Sequence, residues 1–237
     1  PGEGAAMYDA MRALSDYAIA LGGLTPDGGK DSVSMATKVG DDIVKSPREV
    51  VVSAYAAVPD VRRVVTPDLK HPGKSTLIFI DLASGKTRLG GSALGYVFEQ
   101  LGNECPDAPS AEFLKHAFNT VQKLIAQNLI LSLHDRSDGG LMTTVLEMAF
   151  SGVCGFDLNI RAKGDAIPYF FNEEAGLVIE CADKDVNAVC QALAVGNIPH
   201  TKLGRTVEDP RFARVIFNGT EVFKADLDDL LFAWRET

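Results

Sequence analysis

An α/β (α+β) fold, with helices packed on a mixed sheet behind a differently built leading segment, is what this sequence predicts. Three observations lead there. From Ser75 onward, apolar strand patterns and amphipathic helix patterns alternate. Ahead of them, an amphipathic stretch over residues 5–21 runs into Gly-rich and Pro-bracketed segments that show no such alternation. Between the two, residues 60–73 contain Pro67 and Pro72 and no apolar period, which places a domain boundary near residue 70 and gives domains 1–70 and 71–237.

The elements follow in order. Ala6, Met7, Ala10, Met11, Leu14, Tyr17, Ala18 and Leu21 fall on a 3.6-residue stripe that Gly22-Gly23 ends, so residues 5–21 read as a helix. Ser32–Val39 alternates imperfectly. Glu49–Val58 contains the apolar run expected of a buried strand, bracketed by Pro47 and Pro59. The leading segment is too poor in strands to close its own core, and its apolar edges predict self-association. Strand STLIFIDL follows from Ser75, then a helix opening at Ser92 and another over Ala111–Gln127. Strand Ile130–His134, helix Leu141–Phe150, strand Phe156–Ile160, a helical piece at Pro168–Asn172 and strand Gly176–Cys181 come next. Helix Lys184–Leu193, strands Lys202–Thr206 and Ala213–Phe217, and a helix over Leu227–Arg235 complete the run.

Composition sets the outer limits. Apolar residues form 46% and charged residues 23% of the 237, the balance of a packed globular chain. A net charge of −9 without any Lys/Arg block argues against a nucleic-acid partner, because a phosphate backbone needs clustered cations. A small phosphorylated ligand needs only a few local groups and stays open. Cys105, Cys154, Cys181 and Cys190 show neither zinc-type spacing nor a dense disulfide framework, which fits reduced cytoplasmic thiols. No apolar run reaches the roughly 18 residues of a membrane span, and no signal-peptide pattern is present. The start at Pro1-Gly2-Glu3 predicts a fragment of a longer chain.

Four polar clusters lie where strands give way to turns or helices, a common place for ligand sites. Gly28, Gly29, Lys30, Asp31 and Ser32 could approach a phosphate through glycine N–H groups and a lysine, but the spacing departs from a phosphate loop and also fits a polar turn. Gly90, Gly91 and Ser92 open a helix, where an anion or a plain Ser92 cap would both fit. His134-Asp135-Arg136-Ser137-Asp138-Gly139-Gly140 holds more polar groups than a turn requires, and a strand-end carboxylate beside a nucleotide ordinarily binds Mg²⁺. In Phe170-Phe171-Asn172-Glu173-Glu174-Ala175-Gly176, just before a strand, the adjacent acids also fit a solvated surface and the aromatics read as core and not as a stacking platform. His116 reads as a core or surface residue, and Asp226, Asp228 and Asp229 as a helix start.

Taken in order, PGEGAAMYDAM, GGKDSVSMATKV, SPREVVVSAYAAVPDVR, LGGSALGYVFEQLG, HDRSDGGLMTTVLEMAFSG and FNEEAGLVIE resemble the second half of the phosphoribosylformylglycinamidine synthases, the large glutamine-dependent ligases of purine biosynthesis. The resemblance runs from Pro1 to about Phe217. It departs at Gly28-Gly29, where the family more often has Val-Gly before Lys-Asp-Ser. It implies an aminoimidazole-ribonucleotide-synthetase-like fold, here the tail of a barrel-forming domain followed by a mixed-sheet α/β C-terminal domain. It also implies a cytoplasmic ATP-dependent C–N ligase that converts an amide of a phosphoribosyl substrate to an amidine. Ammonia would come from a separate glutaminase domain, and a second synthetase half would complete the enzyme. Carried over by position, Asp135 is a Mg²⁺ ligand and Ser137 contacts ATP, or a structurally bound ADP; the remaining metal ligands lie upstream of this chain. The same resemblance leaves room for a smaller relative of the fold, or for a module that holds a nucleotide without catalysis.

Overall fold

A computed structural model describes residues 2–236, so Pro1 of the PGEGAAMYDAM motif lies outside the described residues. The chain divides into two compact units, the first ending at Val61 and the second beginning at Arg62.

The first unit opens with helix α1, Glu3–Leu21, which carries the predicted stripe and stops at Gly22. Arg48 pairs with Glu3 of this helix, Nε to Oε2 at 3.0 Å. Strands β1 (Ala36–Val39) and β2 (Asp42–Lys45) form a two-stranded antiparallel hairpin around Gly40, with Ala36 opposite Lys45. The expected buried strand over Glu49–Val58 does not form. That stretch joins no sheet, with Val51 79% and Tyr55 94% exposed. An apolar run becomes a strand only when a neighbouring strand takes up its backbone groups, and the first unit supplies none for it.

The second unit is built on one seven-stranded sheet: β3 (Ser75–Asp81), β4 (Ser132–Asp135), β5 (Gly155–Ile160), β6 (Gly176–Ala182), β7 (His200–Val207), β8 (Phe212–Phe217) and β9 (Thr220–Asp226). Their spatial order is β4-β6-β3-β7-β5-β8-β9, and of the adjacent pairs only β5 with β8 runs parallel. The mixed α/β architecture expected from the sequence is therefore present, with β9 as a third closing strand.

The continuous apolar pattern of β3 follows from its place in the sheet. Side chains alternate across a strand, so Leu77 and Phe79 enter one core while Ile78 and Ile80 enter the other. The first core lies beneath α4 (Gly140–Gly152), α5 (Ala166–Phe171) and α7 (Leu227–Glu236), and includes Val145, Met148, Phe156 and Phe170. The second lies beneath α3 (Ala111–Ala126) and α6 (Val186–Val195), and includes Val121, Leu124, Val189 and Leu193. Strands β5 and β8 bury only one face. Phe156, Leu158 and Ile160 alternate with Asp157 and Asn159, and Asp157 pairs with Arg214, Oδ2 to Nη2 at 2.6 Å. A shallow groove of about 560 Å³ lies over this polar face.

One buried acid ties the entering chain to the sheet. Glu180 on β6 is fully buried, and its carboxylate accepts Lys70 N–H at 2.8 Å, His71 N–H at 2.9 Å and the Ser75 hydroxyl at 2.6 Å. Leu69 adds a backbone bond to Met148 O at 3.2 Å and sits in the first core. Residues 66–71 therefore pack as part of the second unit.

Candidate functional site

The register of the sheet gathers three of the four predicted loops. Asp81, the last residue of β3, lies opposite Gly176, the first of β6, and Asp135, the last of β4, lies opposite Leu177. The loops leaving β3 and β4 and the one entering β6 consequently share one end of the sheet. Gly28–Ser32 belongs to the first unit, where all five residues are exposed and the Lys30 ammonium donates to the Ser32 hydroxyl.

At the end of β4, Asp135 and Ser137 are exposed while Arg136 between them is 6% exposed. The His134 ring lies between two acids, Nδ1 3.1 Å from Asp135 Oδ1 and Nε2 2.9 Å from Glu147 Oε2 of α4. Thr144 donates to the Asp135 carbonyl at 3.2 Å. Asp135 thus presents a carboxylate to solvent from a backbone fixed by α4. Gly140 is required here: its φ is +70°, and a Cβ would stand 2.6 Å from Phe170 O and 2.7 Å from Asn172 O. This close approach presses the start of α4 against the 172–175 loop.

Arg136 turns inward. It donates from Nε to Glu174 O at 2.5 Å and from Nη2 to Ala175 O at 3.3 Å, with its guanidinium 4.7 Å from the centre of the Phe79 ring. Burial pulls this cation down to about 10, against the pull of Asp81 and Glu174. Its side chain is bonded to carbonyls and braces the loop from below.

Glu173 and Glu174 are not the solvated pair that their sequence allowed. Glu174 is fully buried and forks Arg88, Oε1 to Nε at 2.5 Å and Oε2 to Nη2 at 2.9 Å. Burial pushes the Glu174 carboxyl up, but the hydrogen bonds and charge of Arg88 outweigh it and hold the group below the usual glutamate value. Glu173 Oε1 accepts two backbone N–H groups from different loops, Ala93 and Gly139, each at 2.8 Å. Asn172 closes the turn, donating to Pro168 O at 2.6 Å and accepting Glu174 N–H at 3.3 Å. The aromatics before it are core, as expected, with Phe170 buried.

The Leu89–Ser92 turn leads into the short helix α2, Ala93–Val97. Ser92 is buried and caps that helix, accepting Gly95 N–H at 3.1 Å and donating to Leu89 O at 2.7 Å. Gly90 N–H is bound to Glu104 O at 2.8 Å, Gly91 N–H to Leu101 O at 2.6 Å and Ser92 N–H to Leu89 O at 3.2 Å. Of the three, only Gly91 is exposed.

As a donor set for Mg²⁺ the site supplies hard oxygen. Asp135 offers one exposed carboxylate, and Ser137 and Asp138 stand exposed beside it. Mg²⁺ bound with substrate phosphates takes one or two carboxylates and keeps waters, so these residues fit as part of such a site. Among the described residues no group of three or more His, Cys, Asp or Glu side chains forms a metal cluster. Sequence reasoning missed Arg88, Glu147 and Glu180, and it placed Arg136 in the polar loop without its inward turn. For Arg88 and Glu180 no local pattern existed, because their partners lie 86 and 105–110 residues away.

Fold and loops together define the class: a mixed-sheet α/β domain with a glycine- and acid-bearing loop cluster at one end of its sheet. The AIR synthase related protein, C-terminal domain, matches residues 80–216, and the chain belongs to that family. The FGAR-AT PurM_N-like domain matches residues 1–57. The chain is 47% identical over 211 residues to the probable chloroplastic/mitochondrial phosphoribosylformylglycinamidine synthase of Arabidopsis thaliana, covering 88% of the chain and 15% of the relative. It is 43% identical over 241 residues to the Homo sapiens phosphoribosylformylglycinamidine synthase, covering 100% of the chain and 18% of the relative. The chain therefore spans 15–18% of the length of these curated relatives. Among solved structures, Thermotoga maritima PurL complexed with FGAR matches with TM-score 0.57 and 14% identity, over 72% of this chain and 30% of that one. The same protein complexed with ATP gives TM-score 0.56 and 11% identity, over 71% and 27%. At these identities the likeness is one of fold, and it agrees with the fold that the motifs implied.

Proposed function

We propose that this chain is a section of a phosphoribosylformylglycinamidine synthase, and that its His134–Gly140 loop holds a Mg²⁺–nucleotide. The observation that carries the reading is the pairing of whole-chain similarity to synthases with an exposed Asp135 on a braced strand end. In this reading the leading segment, up to about residue 70, derives from a barrel-forming domain, with residues 62–70 packing onto the following C-terminal-type domain of the second synthetase half. The whole protein would convert formylglycinamide ribonucleotide to the amidine in the cytoplasm, using ATP and ammonia from a glutaminase domain. Among the described residues no helix is long and apolar enough to cross a membrane.

Asp135 would hold the metal together with nucleotide phosphates and ligands from outside this chain, and the exposed Ser137 would donate to the nucleotide. The metal, when bound, offsets the negative charge of the phosphates. His134, fixed by Glu147, keeps the Asp135 carboxylate oriented. Gly29, Lys30, Asp31 and Ser32 are proposed contacts to a phosphorylated substrate. In the Gly90–Ser92 turn all three backbone N–H groups are bound to carbonyls of the protein, so that turn would shape the site and not donate to a phosphate.

The test is turnover by the full-length protein, read as phosphate release that depends on formylglycinamide ribonucleotide and glutamine. Activity in the unaltered protein, with a loss of about 100-fold in Asp135→Asn, is expected from removing a ligand to the metal on the transferred phosphate. No substrate-dependent release from the unaltered protein would overturn the assignment. Full activity in Asp135→Asn would remove the loop from the chemistry.

A further inference from the structure

We propose that Glu173 is a positioning residue that locks the Leu89–Ser92 turn to the nucleotide loop, so that ligand binding at one is felt at the other. The inference rests on the proposed nucleotide loop but concerns a residue with no role in holding metal or nucleotide. One oxygen, Oε1, accepts Gly139 N–H from the end of the His134–Gly140 loop and Ala93 N–H from the first residue of α2. The two loops leave different strands and are about 50 residues apart in sequence, and this carboxylate is a direct bond from one to the other.

Its surroundings leave it little freedom. The next residue, Glu174, is buried and forked to Arg88 on the near side of the same glycine turn. The preceding Asn172 is buried and bonded to Pro168, Tyr169 and Glu174. Arg136 inside the nucleotide loop grips the Glu174 and Ala175 carbonyls. The 172–175 backbone is thus clamped from both sides, and Glu173 cannot follow one loop without moving the other. The carboxylate also takes up the Gly139 N–H at the start of α4, one donor that an outside anion would otherwise meet there.

The experiment is hydrogen–deuterium exchange on the full-length protein with and without Mg-ATP, for the unaltered chain, Glu173→Ala, Glu173→Gln and Asp135→Asn. In the unaltered chain Mg-ATP is expected to slow exchange in both segments 89–96 and 134–141. In Glu173→Ala protection should remain at 134–141 and vanish at 89–96, with Mg-ATP bound about tenfold more weakly through loss of two hydrogen bonds to a charged acceptor. Glu173→Gln keeps an accepting oxygen and should restore the coupled protection, which separates positioning from a general loss of folding. Coupled protection that survives in Glu173→Ala overturns the inference, as does tighter Mg-ATP binding there, which would make the carboxylate a competitor of the ligand. If Mg-ATP protects neither segment in the unaltered chain, or Asp135→Asn binds it unchanged, the nucleotide-loop reading itself fails.

Discussion

Two consecutive carboxylates meet different surroundings, and the difference has a measurable consequence. Glu174 is buried with Arg88 and held below its ordinary value, whereas Glu173 receives backbone N–H groups at the loop surface. A carboxyl with a lowered folded pKa adds stability that is present above its unfolded value of about 4.3 and is lost as pH falls through the folded value. Unfolding measured at pH 7 and again at pH 3 should therefore show Glu174→Gln strongly destabilised at the first and much closer to the unaltered chain at the second. A gap that stays constant between the two would mean that the Arg88 pair contributes no charge-dependent stability. Residues of this kind were hardly legible in the sequence. The His134–Gly140 loop stood out because a strand-end loop dense in polar groups is a local signal, and it was the resemblance that singled out Asp135 and Ser137 within it. Glu174 and Glu180 take their meaning from partners about 90 to 110 positions away, and adjacent acids read alone suggest solvent.

Secondary structure followed the sequence where apolar period and capping agreed. Ser110 caps α3 by accepting Phe113 N–H at 3.3 Å, and the 3.6-residue stripe carries the helix to Ala126. Strand β9 escaped notice because Thr220–Asp226 is an edge strand, mostly exposed, whose charged residues blunt the alternation. Glu49–Val58 failed in the other direction, since hydrophobicity predicts burial and does not supply a pairing partner. The end of α4 offers a sharper test. Val153 caps this helix in the left-handed region at φ +48° and is exposed, a conformation that costs a β-branched residue energy. Val153→Gly should raise the stability of the second unit by about 1 kcal/mol in chemical denaturation. An unchanged or lower stability would show that the Val153 side chain contributes more by contact than it loses in backbone strain.

At the scale of the whole chain the two units differ in how completely they bury their apolar residues. The second has a core on each side of its sheet. The first leaves Ile43, Val51, Tyr55 and Val58 exposed, and apolar surface of this extent associates in water. Sedimentation is expected to show residues 62–237 as a monomer and the 237-residue chain as concentration-dependent oligomers. A monomeric 237-residue chain would mean that these side chains find cover within it. The motifs conveyed the family and the fold, but the chain's small share of its relatives' length places the rest of the proposed enzyme outside it. The decisive measurement is a titration of the full-length protein with ATP, at fixed Mg²⁺ and without it, for the unaltered chain and for Asp135→Asn. Binding that requires Mg²⁺ and weakens by about 100-fold in Asp135→Asn is the expected result for loss of a metal ligand. Equal binding by the two proteins, or binding indifferent to Mg²⁺, would contradict the assignment of a metal–nucleotide loop at His134–Gly140.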